Sequence, residues 1–162
     1  MASTTLLPFE SYYGAILNRD DVTLLVEACI AGLATSFTTV PRKVQVRSGS
    51  VVAFREREDG ARWRDSNRWS PSKVQGCFLQ YQEVEVGPWG KRIKTDGLIK
   101  RTLTVIGSDG GRWRVIGYFR QKDLGKVRSR KSCFFGVVYH RAELRGRKPQ
   151  FDIRRKARTV PK

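Results

Sequence analysis

Leu98 to Phe119 reads LIKRTLTVIGSDGGRWRVIGYF. Leu98-Ile99 opens a strand that continues through Thr102-Leu103-Thr104-Val105-Ile106, a run rich in the branched residues that suit a pleated sheet. Asp109-Gly110-Gly111 is a tight hairpin signal. On the return, Trp113, Val115, Gly117 and Phe119 alternate with Arg112, Arg114, Ile116 and Tyr118, so this strand has two distinct faces. An antiparallel hairpin is therefore the first element, and the other readings extend from it.

Towards the N-terminus, Phe9 to Ile16 is aromatic and extended, and reads as a first strand. Asn18, Arg19, Asp20 and Asp21 supply capping and acidic residues. Val22, Leu25, Val26, Cys29 and Leu33 then recur at three-to-four spacing, and Gly32 stands where a helix stops. This predicts a helix over about 20–31. After a Pro41-Arg42-Lys43 turn, Val44 to Val52 reads as a strand bent around Arg47-Ser48-Gly49-Ser50, continuing to Arg57 as strand or short loop. Glu56 to Ala61 is a polar turn. Residues 62–69 read as a loop feeding a second helix. Ser70 caps that helix, Pro71 takes its first position, and it runs to about Tyr81 with Val74, Phe78 and Tyr81 buried. Gly87 to Asp96 reads as a loop with basic residues around Trp89, and Asp123-Leu124 as a short turn. Beyond Lys126 periodicity fades, apart from a candidate strand at Phe134–Tyr139, and 141–162 is expected to be flexible.

The 162 residues suit one domain, or one domain with a tail, and 40% hydrophobic residues suffice for a core. Lys and Arg number 32 against 15 acids, a formal +17 with a pI near 10.5. Such an excess repels itself unless a polyanion offsets it, and nucleic acid is the usual polyanion. Residues 120–162 hold 15 basic and 3 acidic residues, a net +12, whereas 1–119 carry +5. The expected organisation is a domain over 1–125 followed by a basic extension over 126–162. Cys29, Cys77 and Cys133 form no CxxC pair and read as reduced intracellular thiols. A zinc site needs about four closely spaced ligands, and His140 is the sole histidine, so neither metal nor cofactor is expected. Met1 to Pro8 lacks the features of a signal peptide, and no apolar run approaches the ~18 residues of a membrane span. No membrane partner is expected.

Catalysis finds little support. A Ser or Cys nucleophile needs an adjacent base, and His140 reads as a surface or strand residue. Most carboxylates sit in polar turns, and Gly110-Gly111 belongs to a hairpin rather than a phosphate loop. DNA contact fits better. Arg62, Arg64 and Arg68 alternate with Trp63 and Trp69; arginine can enter a narrow minor groove or fork onto phosphates and guanine edges. The tryptophans would anchor the loop in the core. The alternative is a solvated basic loop with two core tryptophans. Gly97-Leu98-Ile99-Lys100-Arg101-Thr102, preceded by Lys91, Arg92 and Lys94, offers a second basic cluster; its alternative is a charged sheet edge that blocks aggregation. Arg154-Arg155-Lys156-Ala157-Arg158 suits nuclear import or nonspecific phosphate contact, or is a solubilising tail.

These residues share an order: Tyr13-Gly14, Leu24-Leu25-Val26-Glu27-Ala28-Cys29 with Gly32, Arg47-Ser48-Gly49-Ser50-Val51, RWRDSNRWSPSKVQGCFLQYQE over 62–83, and GLIKRT over 97–102. The chain resembles the WOPR domain of fungal transcriptional regulators of morphology and development over about 9–125. The resemblance implies a single α+β domain with a few short helices. Two regions, here about 9–85 and 95–125, would interleave in one largely antiparallel β-sheet. It implies a nuclear, sequence-specific regulator of AT-rich duplex DNA, with transcription co-regulators as protein partners. Its RW…RWSPS loop approaches the minor groove, and basic residues near GLIK contact backbone or major groove. Carried onto this chain, the DNA-binding set is Arg62, Arg64, Asn67, Arg68, Ser70, Ser72, Lys73, Lys91, Lys94, Lys100 and Arg101. The family usually has Thr-Asp-Gly-Arg after the first RW, where this chain has Arg64-Asp65-Ser66-Asn67. Asn67 thus replaces an arginine, and Arg64 is its candidate substitute.

Two other functions compete. An RNA-binding or ribosome-associated protein would need exposed aromatics that stack on unpaired bases. A nuclease would need a metal-binding carboxylate cluster, for which only Asp65 and Asp96 are candidates.

Overall fold

A computed structural model describes residues 5–36, 43–58 and 63–125. Arg62, the Pro41-Arg42 turn, Asp59-Gly60, the strand expected at Phe134–Tyr139, His140 and the basic tail lie outside the described residues. The elements are β1 (Tyr12–Tyr13), α1 (Arg19–Ile30), β2 (Ser50–Arg55), β3 (Lys73–Gln75), β4 (Phe78–Gln82), β5 (Val84–Gly87), β6 (Gly90–Ile93), β7 (Ile99–Ile106) and β8 (Arg112–Phe119). A 3-10 turn, Gln121–Asp123, follows.

Six strands form one antiparallel sheet in the order β1-β2-β8-β7-β4-β3, and β5 and β6 form a separate two-stranded ribbon. The β7–β8 hairpin forms as expected, with Ile99 opposite Phe119 and Ile106 opposite Arg112. It lies at the centre, between β2 on one side and β4 on the other. Both flanking strands come from residues before 85, so the two regions interleave. Neither region has a complete sheet without the other.

The helix begins where its residues predict. The Asn18 side chain accepts from the Asp21 amide (2.9 Å), and Asp21 reaches back to the Leu17 amide (2.8 Å). At the other end the Gly32 amide donates to Cys29 and the Leu33 amide to Ala28, the bond pair of a Schellman stop. Helix residues Val22, Leu25, Val26 and Cys29 pack with Val51, Ala53, Val105, Trp113, Val115 and Phe78 from one sheet face. Burial pushes the Cys29 thiol up to about 12. The opposite face carries Val52, Phe54, Ile116 and Tyr118, covered by Phe9, Val44, Trp63 and Trp69. One face is thus roofed by a helix and the other by irregular chain.

The expected helix over 70–81 does not form. Residues 73–82 make the β3–β4 hairpin instead, with Gln75 opposite Phe78 across Gly76-Cys77. Gly76 has φ +60°, which suits the first central position of a two-residue hairpin turn. Four β4 residues pair with β7, and that ladder overrides the local signal of Ser70-Pro71. The predicted helical face is consequently split: Phe78 is buried against α1, whereas Val74 is 76% exposed. The segment expected to be a loop at 87–96 also contains structure, the β5–β6 ribbon turning at Pro88-Trp89. Further upstream the extended stretch shortens to β1, and β2 starts at Ser50 after an irregular 45–49.

That irregular stretch is locked by Glu10, whose side chain is fully buried. It binds the Arg47 guanidinium through both oxygens (2.7 and 3.1 Å) and accepts from Ser50 Oγ (2.6 Å). Gly49 adopts φ +100° directly against the Tyr13 ring, where a Cβ would lie 2.6 Å from ring carbon. Gly49→Ala should therefore cost about 2 kcal/mol or more, from backbone strain plus overpacking. Gly125→Ala, with open space around it, should change the urea midpoint little.

Candidate nucleic-acid interface

Between the two tryptophans the chain alternates. Trp63, Asp65, Asn67 and Trp69 turn inward and are half-buried, whereas Arg64, Ser66 and Arg68 are exposed. The segment is held like a strand, with a bridge from Val44 to Asp65 and another from Trp69 to Glu83. Period two then sets the display: inward residues anchor, and outward residues form one row.

Asp65 organises the inner side. Its Oδ1 accepts from Trp69 Nε1 (2.8 Å) and from the Asn67 amide (3.1 Å). Its Oδ2 accepts from Tyr118 Oη (2.7 Å) and from Lys100 Nζ (3.2 Å). Tyr118 Oη in turn accepts from Trp63 Nε1 (2.7 Å). One carboxylate therefore secures both indoles, one directly and one through the phenol. The Asp65 side chain is only 3% exposed, so it requires this saturation. Burial, then the adjacent Asp65 charge and hydrogen bond, hold the Tyr118 phenol well above its ordinary 10.0.

Glu83 secures the far end. Its carboxylate accepts from the Leu98 amide (2.8 Å), Asn67 Nδ2 (2.9 Å) and Lys94 Nζ (3.3 Å). Burial alone would push its carboxyl up; these donors outweigh it and hold it below its ordinary 4.5. Asn67 thus faces inward and braces the segment through Glu83.

The second basic cluster is not one patch. Lys100 and Arg101 are adjacent in β7 and so lie on opposite sheet faces. Lys100 sits among Trp69, Tyr81 and Tyr118, 5.3–5.9 Å from their ring centres, and is 16% exposed. Arg101 lies over Phe78 and Phe119 on the helix side and donates to Gln80 Oε1 (2.8 Å). Ser70 is likewise structural: its Oγ accepts from the Gln82 amide (3.0 Å), and its own amide donates to Gln82 (2.8 Å). Arg64, Arg68, Ser72, Lys73, Lys91 and Lys94 are exposed. Lys94 pairs with Glu83. The bracing roles of Asp65, Glu83 and Tyr118 went unread in the sequence, although the inward W-D-N-W spacing over 63–69 carried a signal for the first. Asp65 is an internal acceptor for four donors, not an open metal ligand as the nuclease alternative required.

The Gti1/Pac2 family model matches residues 11–92. The chain belongs to the Gti1/Pac2 family. It is 38% identical over 102 residues to the cAMP-independent regulatory protein pac2 of Schizosaccharomyces pombe, covering 57% of this chain and 42% of the relative. It is 33% identical over 90 residues to white-opaque regulator 1 of Candida albicans, covering 52% of this chain and 11% of that protein. The chain thus spans less than half the length of these curated relatives. Among solved structures it superposes on the WOPR domain of Candida albicans Wor1, determined in complex with a 17-base-pair duplex DNA. The TM-score is 0.63 and the identity 28%, covering 79% of this chain and 91% of that one. This likeness covers more of the chain than the family model does, in keeping with the WOPR resemblance and the interleaved α+β fold expected from the sequence.

Asp65→Asn should leave Lys100 half-buried without its counter-charge and lower stability by about 3 kcal/mol, read as a lower urea midpoint. The pH dependence has two limbs. Glu83, with a lowered folded pKa, contributes stability that is present above about 4.5 and fades as pH falls through its folded value. Tyr118, with a raised folded pKa, contributes stability that is present below about 10 and fades as pH rises further. Glu83→Gln should flatten the acid limb and Tyr118→Phe the alkaline one in urea titrations.

Proposed function

We propose that this chain is a sequence-specific double-stranded DNA-binding transcription regulator that acts in the nucleus. The observation carrying this reading is the outward row of Arg64 and Arg68, backed by indoles that a single buried carboxylate secures. Neither guanidinium has an ionic or hydrogen-bond partner among the described residues, so each is free to meet a phosphate or enter a groove. A stiff loop loses little conformational freedom on binding, which favours reading groove shape rather than merely collecting charge. The Wor1 domain in its duplex complex, at 28% identity, supports the same partner. AT-rich sites are the target class that suits arginines in a narrow minor groove.

Within this reading the candidate contact residues divide. Arg64 and Arg68 enter the groove; Arg62 extends the row in sequence. Ser72, Lys73 and Lys91 contact backbone from neighbouring exposed positions, and Lys94, 45% exposed, does so while keeping its pair with Glu83. Lys100, Asn67 and Ser70 are positioning residues. Moving Lys100 onto a phosphate would strand the Asp65 carboxylate at a cost of about 3–5 kcal/mol. An exposed ion pair contributes ~1 kcal/mol at most, so the internal partner wins. Arg101 on the far sheet face contributes to the sheet rather than to the same contact.

Arg68→Ala should weaken binding to a pool-selected duplex by about 1–3 kcal/mol in gel-shift titrations. Unchanged affinity would remove the loop from the interface. Deleting 141–162, which holds 9 basic residues against 2 acidic, should lower affinity and flatten its salt dependence while sequence preference survives. Competition with single-stranded RNA separates this reading from an RNA-binding one.

A further inference from the structure

The β5–β6 ribbon has no place in the six-stranded sheet, and its tip residue Trp89 is 99% exposed. Opposed residues of the ribbon share a face. Glu85 pairs with Arg92 on one face through a 3.0 Å ion pair. The other face carries Val84 and Ile93, then Val86 and Lys91, with Val86 61% and Ile93 50% exposed. This is an apolar stripe ending in an indole, flanked by cations, and it serves no core. The root of the ribbon is tied to the arginine row: the Val84 amide donates to the Arg68 carbonyl (2.9 Å), and Trp69 bridges to Glu83. Lys94 at the other root binds the same Glu83 that holds Asn67.

We propose that this ribbon is a second DNA-contacting element, in which Trp89 packs on sugars and base edges beside the stretch engaged by Arg68. The inference rests on the DNA-binding reading above. Four extended residues reach roughly 13 Å from root to tip, enough to pass a phosphate strand and meet the adjoining groove. Three basic residues against one acid over 84–94 give the ribbon a net positive charge that complements a polyanion. An indole supplies a flat apolar surface that the deoxyribose of any nucleotide can meet, so it adds affinity with little sequence dependence.

The test uses the full chain and the best-binding duplex selected from a random pool. Trp89→Ala should weaken binding about tenfold without changing the slope of affinity against salt, because no charge is removed. Trp89→Phe should recover most of that loss. Lys91→Ala should instead lower the salt slope by about one. Because Trp89 touches no core residue, the urea midpoint of Trp89→Ala should match the parent, which keeps the result free of folding effects. If Arg68→Ala weakens binding while Trp89→Ala stays within twofold, the ribbon proposal is overturned and the loop assignment stands. A Trp89 effect confined to single-stranded RNA or to self-association would also overturn it. Failure of the parent chain to bind any duplex would overturn the function and this proposal together.

Discussion

A single carboxylate, that of Asp65, holds the segment that displays Arg64 and Arg68 against the sheet. In a chain of formal charge +17, a buried acid is an attractive counterweight, but its desolvation must be offset by donors. Trp69, the Asn67 amide, Tyr118 and Lys100 supply them. Because the acid belongs to the loop and two of its donors to β7 and β8, satisfying the acid also pins the loop to the sheet. The arginines on the other side of the chain then have a fixed origin.

This arrangement makes the two regions mutually dependent. The loop comes from the first region, yet Tyr118, Lys100 and the Leu98 amide that secure it come from the second. The sheet repeats the pattern, since the β7–β8 hairpin is clasped between β2 and β4. Glu83 extends the linkage to the ribbon root through Lys94. Site and fold thus share residues, so substitutions that weaken the inner network act on stability and on display of the arginines together. Substitutions at Arg64, Arg68 or Trp89 act on the surface alone.

Local signals were legible wherever a short stretch decides its own conformation. The β7–β8 hairpin follows from Asp109-Gly110-Gly111 and alternation, and α1 from Asn18, Asp21 and Gly32. The segment 70–81 carries a helix signal, since Ser70-Pro71 makes a good helix start in isolation, yet it forms strand. Its fate depends on pairing with β7, a partner nearly twenty residues away that no local pattern reveals. Lys100 and Arg101 looked like one basic patch for a similar reason: adjacency in sequence is opposition in a strand.

From the sequence alone came the basic balance, the hairpin, the helix, the ordered motifs of the WOPR resemblance and the candidate arginines. The balance, hairpin, helix and arginines depend on residue type and short-range spacing; the resemblance rests on the order of the motifs along the chain. Tertiary structure decided which cations have internal partners among the described residues, that Asn67 and Lys100 bond inward to Glu83 and Asp65, and that Trp89 is exposed at a ribbon tip. Those outcomes turn on which groups meet across the sheet. A buried carboxylate selects its donors by three-dimensional proximity, and that selection is made only once the strands have paired.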